Sequence, residues 1–269
     1  MFVGARGIGR MISEGFVANG AKVYIASRDS EACSRAAAEL TTQGPGSAVA
    51  LPADLAQLSE CERLAAELKK RETTLHVLVN NSGVAWGAPL EEFPDNQWSR
   101  ILTLNLQRVF TLTQLLLPLL EAASGGASST NSDGQSKSGS SNNSNSEPLS
   151  PAAVINIGSI DALRVPTIEN YSYSAAKAGL HHLSRVLSQR LGPRGITVNT
   201  LACGPFDTKM TAFAMRNFRE SIEEGNPMGR IGRPSDAAGA CVFLASRAGE
   251  FCGFCFEDGY ADLNTRVVC

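Results

Sequence analysis

Tyr173 and Lys177 stand four residues apart in the run Tyr-Ser-Ala-Ala-Lys. On a helix that spacing stacks both side chains on one face. A Lys ammonium beside a phenol favours the phenolate and lowers the phenol's pKa, so such a Tyr can pass a proton near neutral pH. Tyr-x3-Lys alone is common and is more often only a surface pair. Ser159 adds weight, because it follows the apolar run Val-Ile-Asn-Ile-Gly and lies 14 residues before Tyr173. A serine at the carboxyl end of a buried strand can hydrogen-bond a carbonyl oxygen that gains negative charge.

A second group sits at the start of the chain. Gly4-Ala5-Arg6-Gly7-Ile8-Gly9 opens an apolar-periodic stretch. Glycines there let backbone approach a pyrophosphate, and a helix N-terminus offers free N–H groups. Taken alone, a glycine-rich turn is more often only a turn. The next β-like run ends in Ala26-Ser27-Arg28 rather than in an acid. An acid would bond a ribose 2′-hydroxyl, whereas Ser27 and Arg28, with Arg6 nearby, suit a 2′-phosphate. If this is a dinucleotide site, NADPH is expected over NADH.

The elements that must position these residues alternate. Short runs rich in Val, Ile and Leu at 21–26, 48–51, 76–80, 154–158 and 196–202 read as buried strands. Helical patterns occupy 8–19, 29–41, 57–71, 95–122, 171–191 and 235–246. Repeated βα units imply an α/β fold, a doubly wound parallel sheet with helices on both faces. Residues 1–123 and 151–269 are expected to form one Rossmann-like domain. Between them, 19 of the 27 residues 124–150 are Ser, Asn or Gly. That stretch cannot bury enough apolar surface to offset its ordering entropy, and it is expected to be a disordered surface insertion.

The 269 residues carry 24 basic and 26 acidic side chains, a formal charge of −2. That balance excludes a chain-wide nucleic-acid surface. No apolar run is long enough to span a membrane, and no secretory leader is visible. Seven cysteines do not resemble a disulfide framework, so a reducing, cytoplasmic setting is expected. Cys252-x-x-Cys255 has no second CxxC or paired His after it, so no metal is expected. His76, His181 and His182 read as ordinary helix or strand-edge residues.

Taken together, these residues resemble the short-chain dehydrogenase/reductase family. The matching features are the turn Gly4–Gly9, Asp54-Leu55, Asn80-Asn81-Ser82-Gly83, Asn105 in Leu-Asn-Leu, Ser159, Tyr173 with Lys177, and Cys203-Gly204-Pro205-Phe206-Asp207-Thr208. Within that family the chain is most similar to 3-oxoacyl-carrier-protein reductases of the rhamnolipid-biosynthesis type. The resemblance implies reduction of a small-molecule carbonyl, such as an acyl thioester, with a hydride from NADPH. Tyr173 would give the proton, Ser159 would polarise the oxygen, and Lys177 would tune Tyr173 and hold the nicotinamide ribose. Asn105 would hold a water in a proton relay. Gly4, Arg6, Gly7, Ile8, Gly9, Ser27, Arg28, Asp54, Leu55, Asn81, Ser82 and Gly83 would line the dinucleotide, with Phe206 and Thr208 at its nicotinamide end. Residues 208–230 would form a mobile substrate lid in which Met210, Phe213, Met215 and Phe218 could face an apolar substrate.

Both ends depart from the family pattern. Only Met1-Phe2-Val3 precede the glycine turn, with Phe2 and Val3 where the family has Thr and Gly, so the first strand is expected to be missing. The closing residues 251–269 show no strong final strand, which puts a family-type homo-oligomer in question. An alternative reading follows: an inactive or truncated remnant acting only as a binding or scaffold protein. A third reading, alcohol oxidation with NAD, shares the fold but conflicts with Arg28.

Overall fold

The computed structural model describes residues 2–125, 150–252 and 266–268. Among the described residues, seven strands run parallel in two ladders: β3(Ser47–Ala50), β2(Lys22–Ile25) and β1(Phe2–Val3) in one, and β4(Val77–Asn80), β5(Ala152–Ile157), β6(Ile196–Ala202) and β7(Arg266–Val268) in the other. β1 lies beside β4, so the ladders continue one another in the order 3-2-1-4-5-6-7. The chain reverses its direction of progress across the sheet between β1 and β4. In open α/β sheets that switch point is where ligands bind.

Two expectations are corrected here. The first strand is present, although only two residues long, with Phe2 opposite Tyr24 and Val3 opposite Ile25. Two residues are enough because each peptide group needs only a neighbouring strand to bond, and β2 supplies one. A last strand is also present, with Thr200, Leu201 and Ala202 opposite Arg266, Val267 and Val268.

Strand side chains alternate between two cores. Leu78, Val154 and Val198 pack on one face with Leu64 and Leu68 of α3(Leu58–Arg71), Leu116 and Leu120 of α5(Arg108–Ala123), and Leu187 of α6(Tyr171–Leu191). Val79, Ile155 and Leu201 pack on the other with Ile12 and Val17 of α1(Gly7–Ala18), Leu40 of α2(Ser30–Gln43) and Cys241 of α8(Pro234–Leu244). Every residue of β5 and β6 is buried, polar Asn156, Thr197, Asn199 and Thr200 included. Asn156, fully buried within β5, is satisfied by the Asn80 amide (2.9 Å) and by Ser184 (2.8 Å).

The expected single helix at 95–122 is divided. α4(Asp95–Leu102) passes into a π-helical turn, Thr103–Gln107, before α5 begins. The segment expected as a lid carries a helix of its own, α7(Ala212–Glu224), kinked at Phe218 (φ −138°, ψ 19°). Residues 126–149 of the expected insertion, Cys255 and Cys269 lie outside the described residues. Among the described residues no helix is long and apolar enough to cross a membrane.

Candidate active site

Ser159 follows β5 by two residues and caps a short 3-10 turn, Ile160–Ala162, its Oγ accepting from the Asp161 N–H at 3.1 Å. Tyr173 lies in the first turn of α6 and Lys177 one turn further on, so both face the end of β5. The Ser159 hydroxyl lies close enough to the Tyr173 phenol to favour its ionised form. The Lys177 Nζ donates to the Ile157 carbonyl at 2.6 Å and lies 5.7 Å from the centre of the Tyr173 ring. Asn105 is fully buried in the π-turn, and its amide takes both polar groups of Val84: Oδ1 accepts from the N–H and Nδ2 donates to the C=O, each at 2.8 Å. Gly83 joins the two halves, since a Cβ there would lie 3.0 Å from Asn105 Oδ1 and 3.8 Å from Lys177 Nζ.

Burial dominates the protonation of the pair. It pushes the Tyr173 phenol up to about 12, reinforced by the Asp161 carboxylate and opposed by the nearby Ser159 hydroxyl. It pushes Lys177 down to about 8. The expectation that Lys177 depresses Tyr173 is therefore not met in this structure. Burial sets the direction of the Tyr173 shift, and Lys177 is not among the groups that lower it.

The glycine turn sits at the N-terminus of α1. Gly7 has φ +56°, and a Cβ on Gly9 would lie 2.5 Å from both the Gly4 nitrogen and Asn81 Nδ2. Only glycine allows that closeness. The first turn of α1 has no side-chain cap and no acidic residue, which leaves its N–H groups open to an anion. A cleft beside the turn is lined by Gly4, Leu55, Asn80, Asn81, Ser82 and Arg108, and the buried Asn80 Oδ1 has no partner among the described residues. An uncapped helix, a turn closed to any Cβ and an orphaned acceptor in the adjoining cleft fit a dinucleotide.

The remaining predicted residues fall around this cleft with some differences. Ile8 packs partly into the core rather than standing free. Asp54 caps its own turn, accepting from the Ala56 N–H and the Gln57 amide at 3.2 Å each. Ser27 is turned towards Cys33 (3.1 Å). Arg28 is exposed, while Arg6 is paired with Asp29 at 2.6 Å, so its charge is partly spent. Thr208 approaches Gly7, whose Cβ position is 3.3 Å from Thr208 Cγ2. The Phe206 side chain is buried against Gly232, which leaves its backbone for any nicotinamide contact.

Two groups escaped the sequence reading. Asn170 donates to Asp161 (3.0 Å) and accepts from Ser174 (2.5 Å), which ties the Ser159 turn to the start of α6. His181, expected to be an ordinary helix residue, is buried beneath Gly158 and Ser159. Its signal was available, because 173, 177 and 181 share one helical stripe.

Parallel sheet, switch-point cleft and the Ser–Tyr–Lys cluster define an oxidoreductase of the short-chain dehydrogenase class, and the chain belongs to that family. The model of the short chain dehydrogenases matches residues 2–139, and that of the enoyl-(acyl carrier protein) reductases matches residues 145–253. The chain is 38% identical over 251 residues to the rhamnolipids biosynthesis 3-oxoacyl-[acyl-carrier-protein] reductase of Pseudomonas aeruginosa, covering 92% of this chain and 88% of that protein. It is 31% identical to the 3-oxoacyl-[acyl-carrier-protein] reductase FabG of Chlamydia trachomatis, covering 90% and 87%. Among solved structures, the Pseudomonas aeruginosa RhlG/NADP active-site complex superposes with a TM-score of 0.80 at 36% identity, covering 99% of this chain and 92% of that one.

Proposed function

We propose that this chain is an NADPH-dependent reductase that converts the carbonyl of a 3-oxoacyl thioester, or a similar apolar ketone, to a hydroxyl. The observation that carries the proposal is the convergence of Ser159, Tyr173 and Lys177 at the end of β5, at the same carboxyl end of the parallel sheet as the open glycine turn that begins α1. A relative named as a 3-oxoacyl reductase and a neighbour solved with NADP support it.

Reduced nicotinamide supplies a hydride when bound. Tyr173, protonated far above neutral pH, is in the form that donates a proton to the carbonyl oxygen. Ser159 holds that oxygen and polarises it. Lys177 is mainly charged at neutral pH and stabilises negative charge developing on Tyr173 Oη as the proton leaves. The Gly4–Gly9 turn and the start of α1 hold the pyrophosphate, and exposed Arg28 is placed for a 2′-phosphate. Met210, Phe213 and Phe218 stand exposed on the 208–230 segment and offer an apolar wall, whereas Met215 is buried and anchors α7. The alternative of a non-catalytic remnant rests on an absent first strand, a missing first glycine and an altered tail; the strand is present, while Val3 still stands where the family has glycine.

The test is Tyr173→Phe. Turnover on a 3-oxoacyl thioester should fall by about a hundredfold or more, with NADPH still binding as judged by nicotinamide fluorescence. Turnover close to the parent's would reject the proposal. Activity should also decline as pH rises through about 8, where Lys177 loses its charge.

A further inference from the structure

We infer that His181 is a third member of the helix stripe that begins with Tyr173 and Lys177, and that its neutral imidazole positions Ser159 through the backbone. The role rests on Ser159 acting on the substrate carbonyl as proposed above.

The need arises where β5 ends. The Gly158 N–H bonds the Leu201 carbonyl at 2.8 Å, and the Ile160 N–H bonds the Cys203 carbonyl at 3.0 Å. Along an extended strand, alternate residues bond the same neighbour, so the Ser159 N–H between them points away from the β6 side. On its other side β4 has already ended, with Asn80 opposite Asn156. A buried N–H without a partner is costly. The His181 Nε2 accepts it at 3.4 Å.

The fit is close. A Cβ on Gly158 would lie 2.3 Å from His181 Nε2 and 2.6 Å from Thr200 Cγ2, so the ring reaches Ser159 only because residue 158 is glycine. Successive turns of α6 thus grip one strand end. Tyr173 stands near the Ser159 hydroxyl, Lys177 takes the Ile157 carbonyl, and His181 takes the Ser159 N–H. These contacts set the register of helix against strand and so the distance between proton donor and oxygen holder.

An imidazole nitrogen accepts only through a free lone pair. Nε2 therefore carries no proton, and the proton of the neutral ring sits on Nδ1. That state also avoids a second buried cation one turn from Lys177. His181 is a positioning residue and takes no part in proton transfer.

Nitrogen-15 NMR of the histidine rings in the full chain, assigned by comparison with His181→Gln, reads the tautomer without any substrate. A neutral ring protonated at Nδ1 at neutral pH is expected. A proton on Nε2, or an imidazolium, would overturn the inference. Kinetics give the second readout. His181→Leu, which leaves the Ser159 N–H unpaired, should lower kcat by about tenfold or more through misplacement of the hydroxyl, with NADPH affinity kept. His181→Gln, which returns an acceptor, should recover most of that loss. Equal losses in the two variants, or none in His181→Leu, would refute positioning. Ser159→Ala run alongside separates the failures: if it leaves turnover intact, the reductase reading itself is wrong. If His181→Leu does not fold, the tautomer alone decides.

Discussion

Lys177 and Tyr173 show how far a residue pair can be read from spacing. The i, i+4 separation correctly places both side chains at one strand end, because helix geometry leaves no other option. Their protonation was not legible, since it depends on how completely neighbouring strands and loops exclude water. Lys177 is buried with its pKa lowered to about 8, and this has a consequence for stability. Below that value the lysine is charged in both folded and unfolded chains, and the folded state bears the full cost of burying the charge. Between about 8 and the unfolded value near 10.5 the unfolded chain binds more protons, so stability rises with pH. The Lys177→Met variant lacks this dependence. The parent should gain stability relative to that variant, by up to about 3 kcal/mol, as pH goes from neutral to above 10. Urea unfolding at the two pH values measures it, and a constant difference would contradict the assignment of a buried, neutralising lysine.

Among elements, the π-turn Thr103–Gln107 was the least predictable. Apolar periodicity runs through 95–122 without a break, so pattern alone gives one helix. The interruption becomes visible only with the loop after β4 in place, because Asn105 turns inward to bond both polar groups of Val84. The Asn105 side chain holds this loop and, through Gly83, borders the space beside Lys177. Asn105→Ala should therefore destabilise the fold by about 1–3 kcal/mol, because two backbone groups lose their partner. It should also lower kcat by loosening the floor of the site. An unchanged denaturation midpoint would show that the clamp carries no energy. The strands were far more legible. β4, β5 and β6 are bounded within two residues by their runs rich in Val, Ile and Leu, because strands buried on both faces carry branched apolar side chains towards both cores.

For the whole molecule, the proposed cofactor site draws residues from both ladders, so its occupancy would report on the entire fold. A saturating ligand of the folded state stabilises by about 2.7 kcal/mol at a hundred times its Kd. The thermal midpoint of the full chain should rise with NADPH and rise less with NADH. Arg28→Ala should remove most of that difference, because Arg6 is already engaged by Asp29. A melt indifferent to both nucleotides would place the binding reading in error, and an unaltered preference in Arg28→Ala would move the 2′-phosphate contact elsewhere.

The sequence by itself determined the class of fold, the order of its elements and which residues, Ser159, Tyr173 and Lys177, meet at the end of β5. Those depend on local periodicity, on glycine where backbone must pass close, and on fixed helical spacing. Tertiary structure alone decided that two residues suffice for β1, that a final strand closes against β6, and that Asn105 and His181 serve backbone groups. Each of those depends on a partner distant in the chain: β2 for Phe2–Val3, β6 for Arg266–Val268, Val84 for Asn105 and Ser159 for His181. No window of sequence contains both members of such a pair, and the hydrogen bond between them forms only when the sheet has brought them together.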